Sequence, residues 1–378
     1  MKLSIPHINH SDTQSLKSVM KSGWISTSAK IVNEFEKKLS YFCKTKYSIA
    51  LNSGTSAIHL GLKILGVNKN CEVIVPSITF IATVNPILYL GAKPIIFDVD
   101  QYHNLKISDV IQFIKNKTIF KNKRTINKKT KKEIKAIIVA HMWGRACDFS
   151  ELTKLCKKRN IYIIEDAAEA LGSYVNTKRK KLKHCGGMGD IGCLSFNANK
   201  IITTGSGGAI ITSNRNLYLK AQYLANQAKD DTFNYIHNEC GYNYKMNGMA
   251  AALGISQLKQ YVSSCYLNSN CLLFGIFCGS QHVGNIKYEP IDLKTSICAV
   301  GLMIGNSNFR GIGLAAKSLA LGNSTVASKY GIKTIELRVY SWNIRAINAY
   351  KKAGFVIVDT ASLIEPHPDG TIMSLTVH

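Results

Sequence analysis

From residue 48 onward, short runs that are apolar at every position alternate with runs that are apolar at every third or fourth. Residues 48–51, 72–76, 94–99, 136–140 and 161–164 are of the first kind and read as strands buried on both faces. Residues 55–65, 82–90, 107–114 and 149–159 are of the second kind and read as helices covering them. This alternation predicts an α/β fold built on a mainly parallel central sheet. In such sheets ligands bind at the carboxyl ends of the strands. Asn52-Ser53-Gly54, Pro76-Ser77 and Glu165-Asp166 all fall at such ends, so the pattern directs them to one crevice.

After a helix expected at 246–261 the text changes. Residues 262–270 are short, rich in serine and asparagine, and read as a junction, with a boundary near 268. Beyond it the pattern predicts strands at 272–278, 285–288 and 297–304, a glycine-punctuated helix at 311–321, a strand at 334–339 and a helix at 344–353. The expected domains are 1–265 and 271–378.

Composition narrows the class. With 46% hydrophobic residues and a mean hydropathy of +0.00, a 378-residue chain can bury a sizeable core. No apolar run approaches the ~20 residues of a membrane helix, and Met1 to His7 carries no signal-peptide hydrophobic region. The 11 cysteines form no C-x-x-C pair and no histidine pair has ligand spacing. That points to a reducing, cytoplasmic setting without a structural zinc or other metal site. The net charge of +25 raises nucleic-acid binding as a rival. Much of it sits in residues 115–135, which show no helical apolar stripe and one aromatic, Phe120, to stack on a base. The run reads as a solvated crossover loop rather than a polyanion site.

The candidate chemistry centres on Lys200, in Ser195-Phe196-Asn197-Ala198-Asn199-Lys200-Ile201-Ile202-Thr203-Thr204-Gly205, one strand and a loop beyond the apolar strand ending in Glu165-Asp166. Such a pair suits pyridoxal phosphate. A lysine amine condenses with the aldehyde, and a buried acid keeps the pyridine nitrogen protonated so that the ring takes up electrons. Asn52-Ser53-Gly54-Thr55-Ser56-Ala57, between a strand and a helix, suits the phosphate through amides at a helix N-terminus.

These motifs, with Ser22-Gly23-Trp24-Ile25-Ser26, Thr79-Phe80-Ile81-Ala82-Thr83-Val84-Asn85 and Gly241-Tyr242-Asn243-Tyr244-Lys245-Met246, make residues 1 to about 262 resemble the DegT/DnrJ/EryC1/StrS family of pyridoxal-phosphate-dependent nucleotide-sugar aminotransferases. Residues 199–205, 227–231 and 235–238 most resemble the 4-aminotransferases of legionaminic acid synthesis, with perosamine synthases a near second. The resemblance implies fold type I and a homodimer with shared active sites. It further implies a UDP-linked N-acetylated 4-keto-6-deoxy sugar as acceptor and L-glutamate as donor. By position it implies Lys200 as cofactor anchor and proton shuttle, Asp166 at the pyridinium, and Phe80 on the ring face. Gly54, Thr55, Ser56 and Ser195 would hold the phosphate, with Asn243 coming from a second subunit. Glu169 would lie near the phenolic oxygen, and Lys245 would meet substrate across the interface. The match ends near 262, where the family continues into a small C-terminal domain.

Asn308-Phe309-Arg310-Gly311-Ile312-Gly313-Leu314-Ala315, between a strand and a helix, has glycines that let backbone approach a pyrophosphate. With the run from Asn343 to Phe355 it resembles the GNAT acetyltransferases, beginning at that family's second strand. This implies acetyl-CoA on the amides of Arg310, Gly311, Gly313 and Ala315, and Tyr350 as the acid that protonates the thiolate. Two other readings stand beside a working aminotransferase with an acetyltransferase-like tail. One is a truncated, catalytically impaired fusion that dimerises and binds the cofactor; the other is a basic polyanion-binding protein.

Overall fold

The computed structural model describes residues 6–176, 182–231, 233–267, 271–279, 281–364 and 366–377. The chain divides into two compact units, Met1–Val262 and Ser263–His378.

The first unit opens with helices α1 (His10–Ser22) and α2 (Lys30–Phe42), then β1 (Tyr47–Leu51), α3 (Gly54–Ile64), β2 (Cys71–Pro76), α4 (Asn85–Tyr89), β3 (Lys93–Phe97) and α5 (Ile107–Lys117). It continues with β4 (Thr118–Lys121), β5 (Arg124–Asn127), β6 (Glu133–Ala140), α6 (Ser150–Arg159) and β7 (Tyr162–Asp166). After β8 (Tyr174–Asn176) and β9 (Leu182–His184) come β10 (Ile191–Ser195), β11 (Gly208–Thr212), α7 (Arg215–Ala225) and α8 (Gly248–Leu267). The main sheet runs β1-β11-β10-β7-β6-β2-β3. Strands β10, β7, β6, β2 and β3 are mutually parallel; β11 is antiparallel to both its neighbours.

Side chains alternate across these strands, which explains the unbroken apolar runs. Val73, Val75, Ile138 and Ile164 pack with apolar residues of α3 and α7. Their neighbours Ile74, Ile137, Val139 and Ile163 pack with Val110, Ile114, Leu152 and Cys156 of α5 and α6. Each fully buried Ile or Val contributes about 1.5–3 kcal/mol by leaving water. The sheet is thus fixed from both faces, and the carboxyl ends of its parallel strands are held in place.

Three expectations change. The helix foreseen at 82–90 is a 3-10 turn, Ile81–Thr83, followed by the five-residue α4, because Pro86 enters near the helix start and has no N–H to donate. The basic run is no solvated loop. It holds the end of α5 and the hairpin β4–β5, whose turn residues Asn122 and Lys123 have φ of 51° and 58°. Buried Thr125 and Asn127 anchor this hairpin, with Thr125 Oγ1 donating to the Arg159 carbonyl at 2.6 Å and Asn127 Nδ2 to Glu72 at 2.8 Å. The supposed junction at 262–270 is helical as far as Leu267.

The second unit has a six-stranded sheet ordered β12-β13-β14-β15-β17-β16. Its elements are β12 (Leu272–Cys278), β13 (Gln281–Asp292), β14 (Ile297–Ile304), α9 (Leu314–Tyr330), β15 (Thr334–Tyr340), α10 (Ile344–Lys352), β16 (Val356–Val358) and β17 (Gly370–Thr376). All neighbours are antiparallel except β14 and β15. Helix α9 starts three residues later than expected and runs on to the left-handed Gly331. Among the described residues no helix is long and apolar enough to cross a membrane.

Candidate active site

Strand β7 delivers Asp166 to the base of a cavity of about 420 Å³. Thr83 Oγ1 donates to its Oδ2 at 2.6 Å and the Ala168 amide to its Oδ1 at 3.2 Å. Since Thr83 spends its proton on Asp166, it accepts from Thr79 Oγ1, 2.6 Å away. Burial pushes the Asp166 carboxyl above its ordinary value, and the Thr83 and Ala168 hydrogen bonds pull it back only in part. A carboxylate so placed is stabilised by an incoming cation.

The residue before it is strapped. Buried Glu165 accepts from the Gly186, Met188 and Gly189 amides at 2.7, 2.7 and 2.6 Å and lies 2.9 Å from His141 Nε2. The Cys147 amide donates to His141 Nδ1, so the ring proton resides on Nε2 and points to Glu165. His141 lines the cavity, and its backbone N–H bonds the Asp166 carbonyl at 3.0 Å. Asp166 is therefore held from its backbone and its side chain alike.

Lys200 reaches the cavity from the loop after β10, where Phe196 bonds the Gly207 carbonyl and receives the Thr204 amide at its own. Its Nζ lies 2.8 Å from Glu169 Oε1. Glu169 Oε2 accepts the Trp143 amide at 3.1 Å. At the far side α3 begins. Ser53 caps it by accepting the Ser56 amide at 3.0 Å, which leaves the Gly54 and Thr55 amides at the cavity. Gly54 is required there: a Cβ would sit 2.9 Å from Ser195 Cβ. Phe80 lines the wall with its ring 74% exposed.

The cavity thus brings together Gly54, Thr55, Phe80, Asp166, Glu169, Ser195 and Lys200. Its residues could hold pyridoxal phosphate: an acid for the ring nitrogen, an aromatic face, an amine, and open amides with a hydroxyl at a helix start for the phosphate. Three expected residues stand elsewhere. Ser56 is spent on the cap, its hydroxyl donating to Asn52 Oδ1 at 2.7 Å. Asn243, expected from a second subunit, does not line the cavity of its own chain; its Oδ1 accepts from Gln227 at 3.0 Å. Lys245 is paired at 2.8 Å with buried Glu36, which also takes the Ala50 amide. Thr79, Thr83, His141 and Trp143 were not foreseen; only the Thr79/Thr83 spacing hinted at a shared face.

In the second unit, Gly311 and Gly313 have φ of 82° and 80°, turning backbone amides outward at the start of α9, whose first turn holds Ala315. The Arg310 side chain bonds the Ile304 and Gly305 carbonyls at 2.9 and 3.2 Å and so braces the turn. Tyr350 of α10 is mostly buried beside Phe355, and burial pushes its phenol up.

The profile of the DegT/DnrJ/EryC1/StrS aminotransferase family matches residues 6–265. Similar proteins include a GDP-perosamine synthase of Escherichia coli O157:H7, 37% identical over 256 residues, which are 68% of this chain and 65% of that one. A UDP-4-amino-4,6-dideoxy-N-acetyl-beta-L-altrosamine transaminase of Campylobacter jejuni is 35% identical over 257 residues, 67% of this chain and 63% of that one. The chain thus spans less than two thirds of the length of these relatives. Among solved structures, the sugar aminotransferase CalS13 from Micromonospora echinospora shares the fold with a TM-score of 0.59 at 24% identity, covering 69% of each chain.

Proposed function

This chain belongs to the DegT/DnrJ/EryC1/StrS aminotransferase family, and from that premise we propose that it transfers an amino group from L-glutamate to a nucleotide-linked 4-keto-6-deoxy sugar, using pyridoxal phosphate. The observation that carries this reading is the convergence of Asp166, Lys200, Phe80 and the α3 amides on one cavity. When bound, the cofactor supplies an electron sink for the charge left at a carbon that loses its proton.

The chain's own groups do the rest. Asp166, fixed by Thr83 and by its strapped neighbour, would hold the ring nitrogen as an anion. Phe80 would cover a ring face. The Gly54 and Thr55 amides and the Ser195 hydroxyl would hold the phosphate, where the helix dipole favours a dianion. Lys200 must lose a proton from Nζ before it acts as nucleophile or base, and Glu169 Oε1, 2.8 Å away, is positioned to steer the side chain that carries it. Two copies would share their sites, with Asn243 of each completing the phosphate end of the other.

A UDP-linked N-acetylated sugar is the primary acceptor; relatives named GDP-perosamine synthase support a GDP-linked one as the second reading. Incubation with pyridoxal phosphate, L-glutamate and each 4-keto-6-deoxy sugar nucleotide, followed by mass spectrometry, is expected to yield the 4-amino product and 2-oxoglutarate. Cofactor binding without turnover of either acceptor would instead support the impaired-fusion reading.

For the second unit the reading is an acetyl-CoA site on the turn from Arg310 to Ala315, supported by the two left-handed glycines and by the parallel pair β14–β15 that the turn and α9 connect. An amine would attack the thioester carbonyl, forming C–N and breaking C–S, with Tyr350 protonating the departing sulfur and the proton released from the nitrogen returning to the phenol through solvent. Valine cannot readily adopt the Gly313 conformation. Gly313→Val is expected to weaken acetyl-CoA binding by calorimetry at least ~10-fold, about 1.4 kcal/mol; unchanged binding would remove this assignment.

A further inference from the structure

Trp143 is the residue whose conformation the fold least explains. It follows β6 with φ 50° and ψ 32°, a left-handed geometry that a bulky side chain adopts at a cost. Such strain persists where surrounding contacts over-determine it, and it concentrates at binding sites. Here the contacts are visible. The Trp143 amide is fixed on Glu169 Oε2 at 3.1 Å, the carboxylate whose other oxygen holds Lys200. The indole lines the cavity yet is 69% exposed. A hydrophobic core does not account for it.

The indole stands at the cavity's rim with two polar companions. His103, itself left-handed at φ 63°, meets it edge to face with centroids 5.4 Å apart. Arg145, two residues on, lies 3.7 Å over the Tyr102 ring and remains exposed. Two loops, around 100–104 and 141–147, thus bring an indole and an imidazole edge to face, with an exposed guanidinium on the ring of Tyr102, the residue before that imidazole. A pyranose carbon that reaches Lys200 occupies the cavity itself. The rest of a nucleotide-linked sugar, a diphosphate and a flat base, must then leave over the rim. A guanidinium matches the first and an indole face the second.

We infer that Trp143, backed by His103 and flanked by Arg145, forms the nucleoside-diphosphate subsite, with the base stacked on the indole and the diphosphate beside the guanidinium. This rests on the nucleotide-sugar reading above. Anchoring the Trp143 backbone on Glu169 also fixes the distance between the base and the reacting amine, so the plate selects acceptors by their length.

The test titrates the full chain, loaded with pyridoxal phosphate, with UDP and with GDP, following tryptophan fluorescence and calorimetry. Trp143→Ala is expected to weaken binding at least ~10-fold, Trp143→Phe to restore it to within about threefold, and Arg145→Gln to weaken nucleoside diphosphates more than the uncharged nucleosides. Far-UV circular dichroism and the thermal midpoint should be the same in all variants, which controls for folding. If the wild type binds UDP or GDP and Trp143→Ala binds as well, the subsite assignment fails while the aminotransferase reading stands. If the wild type holds its cofactor but binds neither nucleotide, the nucleotide-sugar reading itself is overturned.

Discussion

Lys200→Ala is expected to abolish the visible absorbance of bound pyridoxal phosphate and to lower transamination by at least ~10²–10⁴-fold, the usual weight of a positioned proton-transfer group. In the proposed reading the amine is both the attachment point and the group that moves the proton, so one substitution removes two functions. Its structural cost is small. The side chain makes one ion pair, to Glu169, which is 38% exposed and therefore tolerates losing its partner. Thermal stability of the cofactor-free chain should change little, while the spectrum and the rate collapse together. Retention of the absorbance band would place the anchor elsewhere and unseat the reading of this cavity.

Asp166→Asn is expected to separate stability from function. In the cofactor-free chain burial holds this carboxyl above its ordinary value of 3.8. Between that value and the raised folded one, the folded chain keeps a proton that the unfolded chain has lost. Stability therefore falls as pH rises through that window, and the cost of burying the charge persists above it. Asparagine removes the charge and its oxygen still accepts from Thr83, at the loss of the longer bond from the Ala168 amide. The cofactor-free variant should melt a few degrees higher than the wild type at neutral pH. With pyridoxal phosphate the order should reverse, because the ring cation then has no anion opposite and binding weakens by an order of magnitude or more. Differential scanning fluorimetry with and without the cofactor reads both signs. A cofactor-free variant that melts lower than the wild type would show that the ionised carboxylate is already well satisfied by its neighbours.

Much of the first unit was legible because its strands are buried on both faces, where two-sided apolar runs leave few alternatives. Strands β2, β6 and β7 fall within a few residues of their expected positions. The meeting of Asp166 and Lys200 in one cavity was legible for a similar reason, since Asp166 ends a strand and Lys200 follows one. The supports were not. Thr83 meets Asp166 across 83 residues and Lys245 meets Glu36 across 209, pairings fixed by the strand order and not by any local pattern. The basic hairpin was missed because its apolar positions are few and its lysines mask the alternation. Trp143 was missed because backbone conformation leaves no mark in residue spacing.

That hairpin bears on how molecules of this chain coexist at high concentration. Strand β4 has a single neighbour, so one row of its amides and carbonyls is open, and Ile119 and Phe120 are exposed along it. Bare margins of this sort recruit further strands and seed fibres. Lys117, Lys121, Lys123 and Arg124 surround this one, so a second molecule approaching edge to edge meets like charge. Part of the chain's cationic excess thereby works as a gatekeeper, keeping the sheet from growing beyond its own border.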